Sequence, residues 1–474
     1  MHSSSDVPAS SPDPLDLDEF RRNGHAAVDW VADYLAGLED QPVWAQVEPG
    51  DVRAALPDHA PRSPESFEAM LADLDDIVVP GLTHWQHPGW LAYFPANSSP
   101  ASVLGELVTA GMGVQGMLWS TSPAVTEVES HVLDWLVDEL GLPPTWRVDT
   151  GPGGGVIQMS ASDATHTALV VARLRATAAG ARAEQCVVYT SAQAHSSVEK
   201  GARVTGYGHV RLIDVDEVFA LDPDALAAAV AADVAAGLVP TFVVSAVGTT
   251  GTTAVDPIEA VTEIASAHGM WHHVDAAYAG TAMLCPELRH HQPGLDRVDS
   301  YVTNAHKWLF TNFDCSLFWV ADRAGLVDAL SIVPPYLSND ASDSGSVVDY
   351  RDWHVPLGRR FRALKLWWVI RSFGIDGLRA RIREHIAWAQ ALAARLDADD
   401  RFEMVAPTPF GLVSVRHADP DRNDEFLAAI TARPEFALAA STVDDARFLR
   451  ISIGATWTRE AHVEALWAAL DDAA

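Results

Sequence analysis

The chain has 474 residues, of which 48% are hydrophobic, and it carries a formal net charge of −32. A chain of this length is too long for one simple core, so we expect two or three domains. The strong negative charge argues against nucleic acid and anionic membrane surfaces as partners, because both select basic proteins.

The sequence shows no signal for secretion or for membrane insertion. Its N-terminus lacks a basic stretch followed by an apolar one, and no run of about twenty uncharged apolar residues occurs. The three cysteines, Cys186, Cys285 and Cys315, lie far apart and form no paired motif. We therefore expect a cytoplasmic protein with reduced thiols.

The first hundred residues divide into a tail and a helical segment. Residues 1–16 are rich in Ser, Pro and Asp, which predicts a disordered tail. Residues 17–99 are predicted to be an N-terminal helical segment, with Phe20, Val31 and Leu35 along one apolar stripe. Such a stripe needs a partner surface, which favours a dimerisation role for this segment.

Residues 100–360 are predicted to form a large α/β domain. Short apolar runs alternate there with helical patterns, which favours a mainly parallel sheet. The apolar runs are 186–190, 241–247, 270–276 and 315–321. From 361 to 474 a long helical pattern leads to shorter strands at 411–416 and 447–454, which indicates a small C-terminal α/β domain.

The first candidate site is the glycine-rich stretch GPGGGVIQMSASDATH, residues 151–166. Three adjacent glycines are expected to precede a short strand, and small residues around Ala161 and Ser162 then open a helix. A helix N-terminus offers unpaired N–H groups and a partial positive charge, which suit a phosphate. An ordinary serine-capped helix explains the same residues equally well.

Further candidate residues follow the ends of later predicted strands. These are His195, Thr250, Asp275 and Lys307, in chain order. Taken singly, each has a plain structural reading as a solvated or capping group, a turn residue, or a packed lysine stem. Ligands of open α/β sheets bind at the carboxyl ends of the strands, so together these residues predict one site.

The lysine lies in the stretch TNAHKWLFTN, where Trp308 and Leu309 follow it and no acidic residue occurs. Burial among such neighbours lowers the pKa of an ammonium and frees the amine to act as a nucleophile. A phosphate cradle, a carboxylate and a reactive lysine are the parts that a cofactor with a phosphate, a pyridine nitrogen and an aldehyde needs. The adjacent His272 and His273 would point to opposite faces of a strand, so no metal site is expected.

Four segments carry a resemblance to a known family: AHSSVEKG, HVDAAYAG, NAHKWLFTNFDCS and DYRDWHVPLGRRFRALKLW. They closely resemble the pyridoxal phosphate-dependent group II decarboxylases, above all the aromatic L-amino acid decarboxylases. The resemblance runs from about Leu17 to the C-terminus. It implies pyridoxal 5'-phosphate as cofactor and the aspartate aminotransferase-like fold (fold type I of PLP-dependent transferases), with a mainly parallel seven-stranded sheet.

The resemblance also implies roles for individual residues. Lys307 would bind the cofactor as a Schiff base, Asp275 would pair with the pyridinium nitrogen, and His195 would stack on the ring and orient the substrate carboxylate. Tyr336 would donate a proton to Cα from a mobile loop that reaches the active site across a homodimer interface. Further cofactor contacts are implied for Ala161, Ser162, Thr250, Ala277, Asn304 and His306.

The resemblance also implies an aromatic substrate pocket. Its residues would be Trp85, Tyr93, Phe94, Pro95, Gln115, Met117, His306 and Gly358. Glycine at 358 goes with indole substrates in plant relatives, whereas Gln115 and Met117 replace two apolar residues of the family. Tryptophan, DOPA, tyrosine and phenylalanine therefore all remain open as substrates.

The implied reaction is decarboxylation of an aromatic L-amino acid to the arylalkylamine and CO2. Related aldehyde synthases carry phenylalanine at the place of Tyr336 or asparagine at the place of His195, so this chain resembles the decarboxylase branch. Two alternatives remain: an aromatic aldehyde synthase on the same scaffold, and a PLP-binding protein without turnover.

Overall fold

The computed structural model describes residues 15–332, 347–443 and 445–474. Most of the predicted disordered tail lies outside the described residues, and so does Tyr336. The N-terminal segment contains the predicted helices. Asp16 caps the first of them by accepting backbone N–H groups of Asp18 and Glu19. Its helices are α1 (Leu17–Ala36), α2 (Asp51–Ala55) and α3 (Phe67–Asp73).

The central element is a seven-stranded sheet with the strand order β1-β7-β6-β5-β4-β2-β3. The pairs among β2 to β6 are parallel, and only β7 runs antiparallel to its neighbours β1 and β6. The prediction of a mainly parallel seven-stranded sheet is therefore confirmed. The strands are β1 (Gly154–Gln158), β2 (Cys186–Ser191), β3 (His209–Ile213), β4 (Val239–Ala246), β5 (Trp271–Asp275), β6 (Ser300–Asn304) and β7 (Ser316–Val320).

Helices cover both faces of this sheet, which explains why its central strands are apolar throughout. Val188 and Phe242 pack with Leu169 on one face, whereas Val187 and Val243 belong to a second core on the other. The helices of this region are α4 (Pro100–Met112), α5 (Pro123–Leu140), α6 (Ala161–Ala178), α7 (Ser197–Thr205), α8 (Pro223–Ala235), α9 (Ile258–Ala267), α10 (Ala305–Trp308) and α11 (Arg323–Leu330).

The predicted long helix is α12 (Arg362–Asp397), which breaks at Gly374, where φ is +66°. It leads to a four-stranded antiparallel sheet in the order β10-β11-β9-β8. The remaining elements are β8 (Phe402–Met404), β9 (Leu412–His417), α13 (Pro420–Thr431), β10 (Ala439–Val443), β11 (Ala446–Ser452) and α14 (Glu460–Ala473). Within the part of the chain that is described, no helix is long and apolar enough to cross a membrane.

The glycine-rich stretch differs from its prediction in one respect. Gly154 and Gly155 were expected before the strand, but they are the first two residues of β1. A Cβ on Gly155 would lie 2.6 Å from the indole nitrogen of Trp319, and one on Gly154 would lie 2.6 Å from the ring of Trp353. These glycines therefore serve close packing of the sheet.

Candidate active site

A cavity of about 170 Å³ lies at the carboxyl ends of β4, β5 and β6, beside the N-terminus of α6. Parallel strands bring their carboxyl ends to one edge, which explains why residues far apart in sequence meet there. The lining includes these predicted site residues: Phe94, Ala161, Ser162, His195, Thr250, Asp275, Ala277, Asn304 and Lys307.

Lys307 lies in the single turn α10, directly after β6. Its Nζ is 5.3 Å from the centroid of the Phe94 ring. Burial lowers the pKa of Lys307, the Asp275 carboxylate opposes this shift, and the Arg450 guanidinium adds to it. The amine therefore loses its proton more readily than an exposed lysine does. The ring that faces it is Phe94, whereas Trp308, expected beside the amine, stacks on Tyr278.

The backbone of Lys307 is held by Asn97, a residue that the sequence did not point to. Asn97 Nδ2 donates to the carbonyl oxygens of Lys307 at 2.7 Å and Gly454 at 2.8 Å. Asn97 Oδ1 accepts the backbone N–H of Thr456 at 2.8 Å. These partners lie 210 and more residues away along the chain, so no local pattern announces the role.

Asp275 is the last residue of β5, and its Oδ1 accepts the backbone N–H of Ala277 at 3.0 Å. This bond fixes the carboxylate at the cavity with its second oxygen left for another donor. The preceding histidines point to opposite faces, as predicted. His272 Nε2 lies 2.8 Å from Ser245 Oγ, and His273 Nδ1 lies 2.8 Å from Ser300 Oγ.

His195 lies on the loop between β2 and α7, at the mouth of the cavity. The backbone N–H of Ser197 donates to His195 Nδ1 at 3.2 Å. Because Nδ1 accepts, the neutral ring carries its proton on Nε2. The side chain is solvent-accessible in the single chain. Partial desolvation by the surrounding protein nevertheless lowers the pKa of His195; the Asp275 carboxylate opposes this shift, and the Lys307 ammonium adds to it.

The N-terminus of α6 supplies donors to the cavity. Ser160 caps the helix by accepting the backbone N–H of Asp163 at 3.1 Å. The N–H groups of Ala161 and Ser162 belong to the first turn, which an α-helix does not pair internally. On the adjacent β6, Asn304 Oδ1 accepts Ser316 Oγ–H at 2.7 Å, which leaves the amide nitrogen of Asn304 as a donor.

Two aromatic residues predicted for the substrate side lie outside the lining of this cavity. The exposed fractions of Trp85 and Tyr93 are 39% and 54%, and their ring centroids lie 6.0 Å apart. Pro95 lies nearer the small domain, where a Cβ on Gly454 would be 3.4 Å from its Cγ.

Gln115, Met117 and Gly358 form a separate contact between two loops. Gln115 Oε1 accepts the backbone N–H of Arg359 at 2.7 Å. The carbonyl oxygen of Met117 accepts the backbone N–H of Arg351 at 3.0 Å. A Cβ on Gly358 would lie 3.3 Å from Gln115 Nε2. The glycine therefore makes room for the Gln115 amide.

His306 is buried beside Lys307 but does not line the cavity. Its Nδ1 accepts the backbone N–H of Cys315 at 3.0 Å, and burial lowers the pKa of the ring to about 3. The imidazole is therefore neutral, with its proton on Nε2. Its assignment to the cofactor and substrate sites stays a prediction, as does the role of Tyr336.

Comparison with known proteins identifies the family. Residues 49–418 match the pyridoxal-dependent decarboxylase conserved domain. The chain is 43% identical to tryptophan decarboxylase 2 of Oryza sativa subsp. japonica, over 97% of this chain and 95% of that protein. It is 44% identical to a phenylacetaldehyde synthase of Arabidopsis thaliana, over 97% of each.

Solved structures show the same relationship. The crystal structure of Oryza sativa TDC with PLP and tryptamine superposes with a TM-score of 0.94 at 38% identity, covering 98% of this chain and 99% of that one. The likeness extends over nearly the whole length, so it covers the sheet, the cavity and the small C-terminal sheet together. This chain belongs to the pyridoxal-dependent decarboxylase family.

Proposed function

We propose that this protein decarboxylates an aromatic L-amino acid to the arylalkylamine and CO2. One observation carries the proposal: a single cavity joins the buried amine of Lys307, the Asp275 carboxylate, the imidazole of His195 and the N-terminus of α6. The relatives named above, a tryptophan decarboxylase and a phenylacetaldehyde synthase, support an aromatic substrate.

The cofactor of the family is pyridoxal 5'-phosphate, and the residues of the cavity fit it. The donors of Ala161, Ser162 and Asn304 would hold the phosphate. Asp275 would hold the protonated ring nitrogen, and Lys307 would bind the aldehyde carbon. When bound, this cofactor accepts the electron pair that the substrate releases as CO2 leaves.

The chain's own residues supply the proton and binding chemistry. The lowered pKa of Lys307 keeps more of its amine neutral, which is the form that attacks a carbonyl carbon. His195 presents an Nε2–H donor, since Nδ1 is engaged by Ser197, and this donor suits a substrate carboxylate. We assign protonation of Cα to Tyr336, a role that follows from the family resemblance.

We further propose that the enzyme is a cytoplasmic homodimer. The residues of α1 are all at least partly exposed, including its apolar Leu17, Phe20 and Val28. Exposed apolar faces of this kind mark protein interfaces. The three cysteines are buried and free, which suits a reducing compartment.

The proposal is tested by competition among substrates. The cofactor-loaded protein would be given equal tryptophan, DOPA, tyrosine, phenylalanine, histidine and glutamate, and the products would be identified by mass. We expect one dominant arylalkylamine with an equal amount of CO2. Borohydride reduction followed by peptide mapping should find the cofactor on Lys307. Bound cofactor without any product would support the non-catalytic alternative and overturn the proposal.

An aromatic aldehyde synthase is the second candidate, favoured by the 44% identity to the Arabidopsis phenylacetaldehyde synthase. The two activities differ in their products. Aldehyde, ammonia and hydrogen peroxide in proportion to CO2 would establish the synthase, whereas amine without peroxide would establish the decarboxylase.

A further inference from the structure

Three rings form a continuous stack at the cavity, and a fourth ring extends it edge to edge into the small domain. Phe94 and Tyr278 have centroids 3.9 Å apart with 16° between their planes. Tyr278 and Trp308 follow at 4.7 Å and 7°. His385 lies beside Trp308 and nearly in the plane of the indole, with centroids 6.4 Å apart and 8° between the planes. The first ring, Phe94, faces the Lys307 amine, and the last, His385, lies in the second half of α12.

His385 is bonded to the stack through one ring nitrogen. Trp308 Nε1 donates to His385 Nδ1 at 3.0 Å, so the neutral imidazole carries its proton on Nε2. Burial lowers the pKa of His385 to about 3, so the ring remains neutral and Nδ1 remains an acceptor at ordinary pH.

The second ring nitrogen of His385, Nε2, is left unpaired within the described part of the chain. His385 is fully buried, and its Nε2 has no hydrogen-bond partner among the described residues. A buried donor without a partner destabilises the folded chain. An apolar side chain at this position would carry no such unpaired donor. The Nδ1 acceptor is therefore the feature that distinguishes histidine at this position.

The stack connects back to the lysine by a second route. Trp308 follows Lys307 directly in α10, while the Phe94 ring at the other end of the stack lies 5.3 Å from Lys307 Nζ. Two glycines of the small domain pack closely against the edges of the stacked rings. A Cβ on Gly411 would lie 2.7 Å from the Tyr278 hydroxyl, and one on Gly454 would lie 3.1 Å from Trp308 Nε1. Little room is left for these rings to shift.

We propose that His385 is a positioning residue for the reactive lysine: by accepting the Trp308 N–H it fixes the ring stack that holds Phe94 against the Lys307 amine. The inference rests on the proposed role of Lys307. It assigns the small domain a part in the reactivity of that amine, although His385 touches neither the lysine nor the cavity.

The test measures the pKa of the Lys307 amine in the full-length chain freed of cofactor, by amine labelling across a pH series with mass spectrometry. His385→Phe retains a ring but removes the acceptor, and Trp308→Phe retains a stacked ring but removes the donor. We expect either change to loosen the stack, admit water and raise the pKa of Lys307 by about one unit, about a tenfold loss of neutral amine.

Two further variants sharpen the result. His385→Gln restores an acceptor and should return the pKa of Lys307 most of the way to that of the unchanged chain. The double variant His385→Phe, Trp308→Phe should shift it no further than either single change, because both remove the same hydrogen bond.

The matched control is His417→Phe. His417 is also buried in the small domain, accepts the Asp419 N–H through Nδ1 at 3.0 Å and has an unpartnered Nε2 among the described residues, but it lies outside the stack. The His417→Phe variant should have a lower melting temperature and an unshifted Lys307 pKa. The proposal is overturned if His385→Phe behaves in the same way.

If peptide mapping instead places the cofactor on another lysine, the proposed role of Lys307 fails while the labelling result still decides the influence of His385.

Discussion

The cofactor side and the predicted substrate side of the site are built in different ways. Asp275, Lys307 and the N-terminus of α6 are brought together by strands of one sheet, and hydrogen bonds within the chain fix them. Trp85 and Tyr93, in contrast, lie on an N-terminal loop with a third or more of their surface exposed. The cofactor side is thus enclosed by fixed groups of the sheet, whereas the predicted substrate side presents exposed aromatic surface.

This difference indicates which changes should matter most. Groups fixed by the sheet and by buried hydrogen bonds cannot readjust, so altering one should be costly. Loop residues that contact each other at the surface can shift, so altering one should change preference more than rate.

The largest effect is expected for Lys307→Met. Loss of the amine should reduce decarboxylation by about a thousandfold or more, because no second lysine lines the cavity in the described part of the chain. The thermal stability of the cofactor-free chain should stay equal or rise. The folded pKa of Lys307 is lowered, so below the ordinary pKa of 10.5 the buried charge opposes folding, and methionine removes it. Retained activity would show that the site lies elsewhere.

Asp275→Asn comes second. An asparagine oxygen can still accept the Ala277 N–H, so the turn should be kept while the negative charge is lost. We expect kcat to fall about a hundredfold, within the range for a group that holds a proton during catalysis. The control is Asp299→Asn, a half-buried carboxylate that accepts the His272 N–H at 2.8 Å outside the cavity. It should leave kcat unchanged, and equal loss in both variants would contradict the assignment.

Asn97→Ala removes the hydrogen bonds that hold the Lys307 backbone to the small domain. Buried groups left unpaired should lower the free energy of unfolding by about 1–3 kcal/mol. Chemical denaturation measures this change, and steady-state kinetics should show a lower kcat as well.

The control for that variant is Asn423→Ala. Asn423 is also a buried asparagine, and it bonds to the backbone of His417 at 3.1 Å and Arg447 at 2.8 Å, away from the cavity. It should cost similar stability without loss of kcat. A normal kcat in both variants would show that the Lys307 turn does not need Asn97.

His306→Asn should change how stability depends on pH. The folded pKa of His306, about 3, is lowered from the ordinary 6.5, so the unfolded chain binds this proton first and stability is lost as pH falls from about 6.5 towards 3. Replacing the histidine should reduce the slope of unfolding free energy against pH by about 1.4 kcal/mol per pH unit in that window. An unchanged slope between pH 6 and pH 4.5 would mean that His306 can be protonated in the folded chain.

The smallest effect is expected on the substrate side, for Gly358→Ser. The new Cβ would lie 3.3 Å from Gln115 Nε2 and should displace the amide that accepts the Arg359 N–H. We expect the ratio of kcat/KM between indole and phenol substrates to change about threefold to tenfold. Gly111→Ser, where an added Cβ meets nothing within 4 Å, is the control. An equal change in both variants would remove Gln115 and Gly358 from the substrate site.

Much of this architecture can be predicted from the sequence, because its signals are local. Apolar runs between helical patterns predict a parallel sheet, and the residues after those runs predict the site, since carboxyl ends of parallel strands share an edge. That reasoning reached His195, Asp275 and Lys307, which line one cavity. The order of the strands and the antiparallel β7 depend on pairing between distant segments, which no local pattern records.

Other features were decided only by tertiary packing. The sequence places Trp308 next to Lys307, but the folded chain turns that ring onto Tyr278 and brings Phe94, more than two hundred residues away, to the amine. Asn97 bonds to Lys307 across 210 residues of chain, and Trp308 bonds to His385 across 77. Composition and local pattern thus determined which chemistry the chain could carry. Packing between distant segments decided which side chains fix that chemistry in place, because burial and hydrogen-bond geometry exist only once those segments meet.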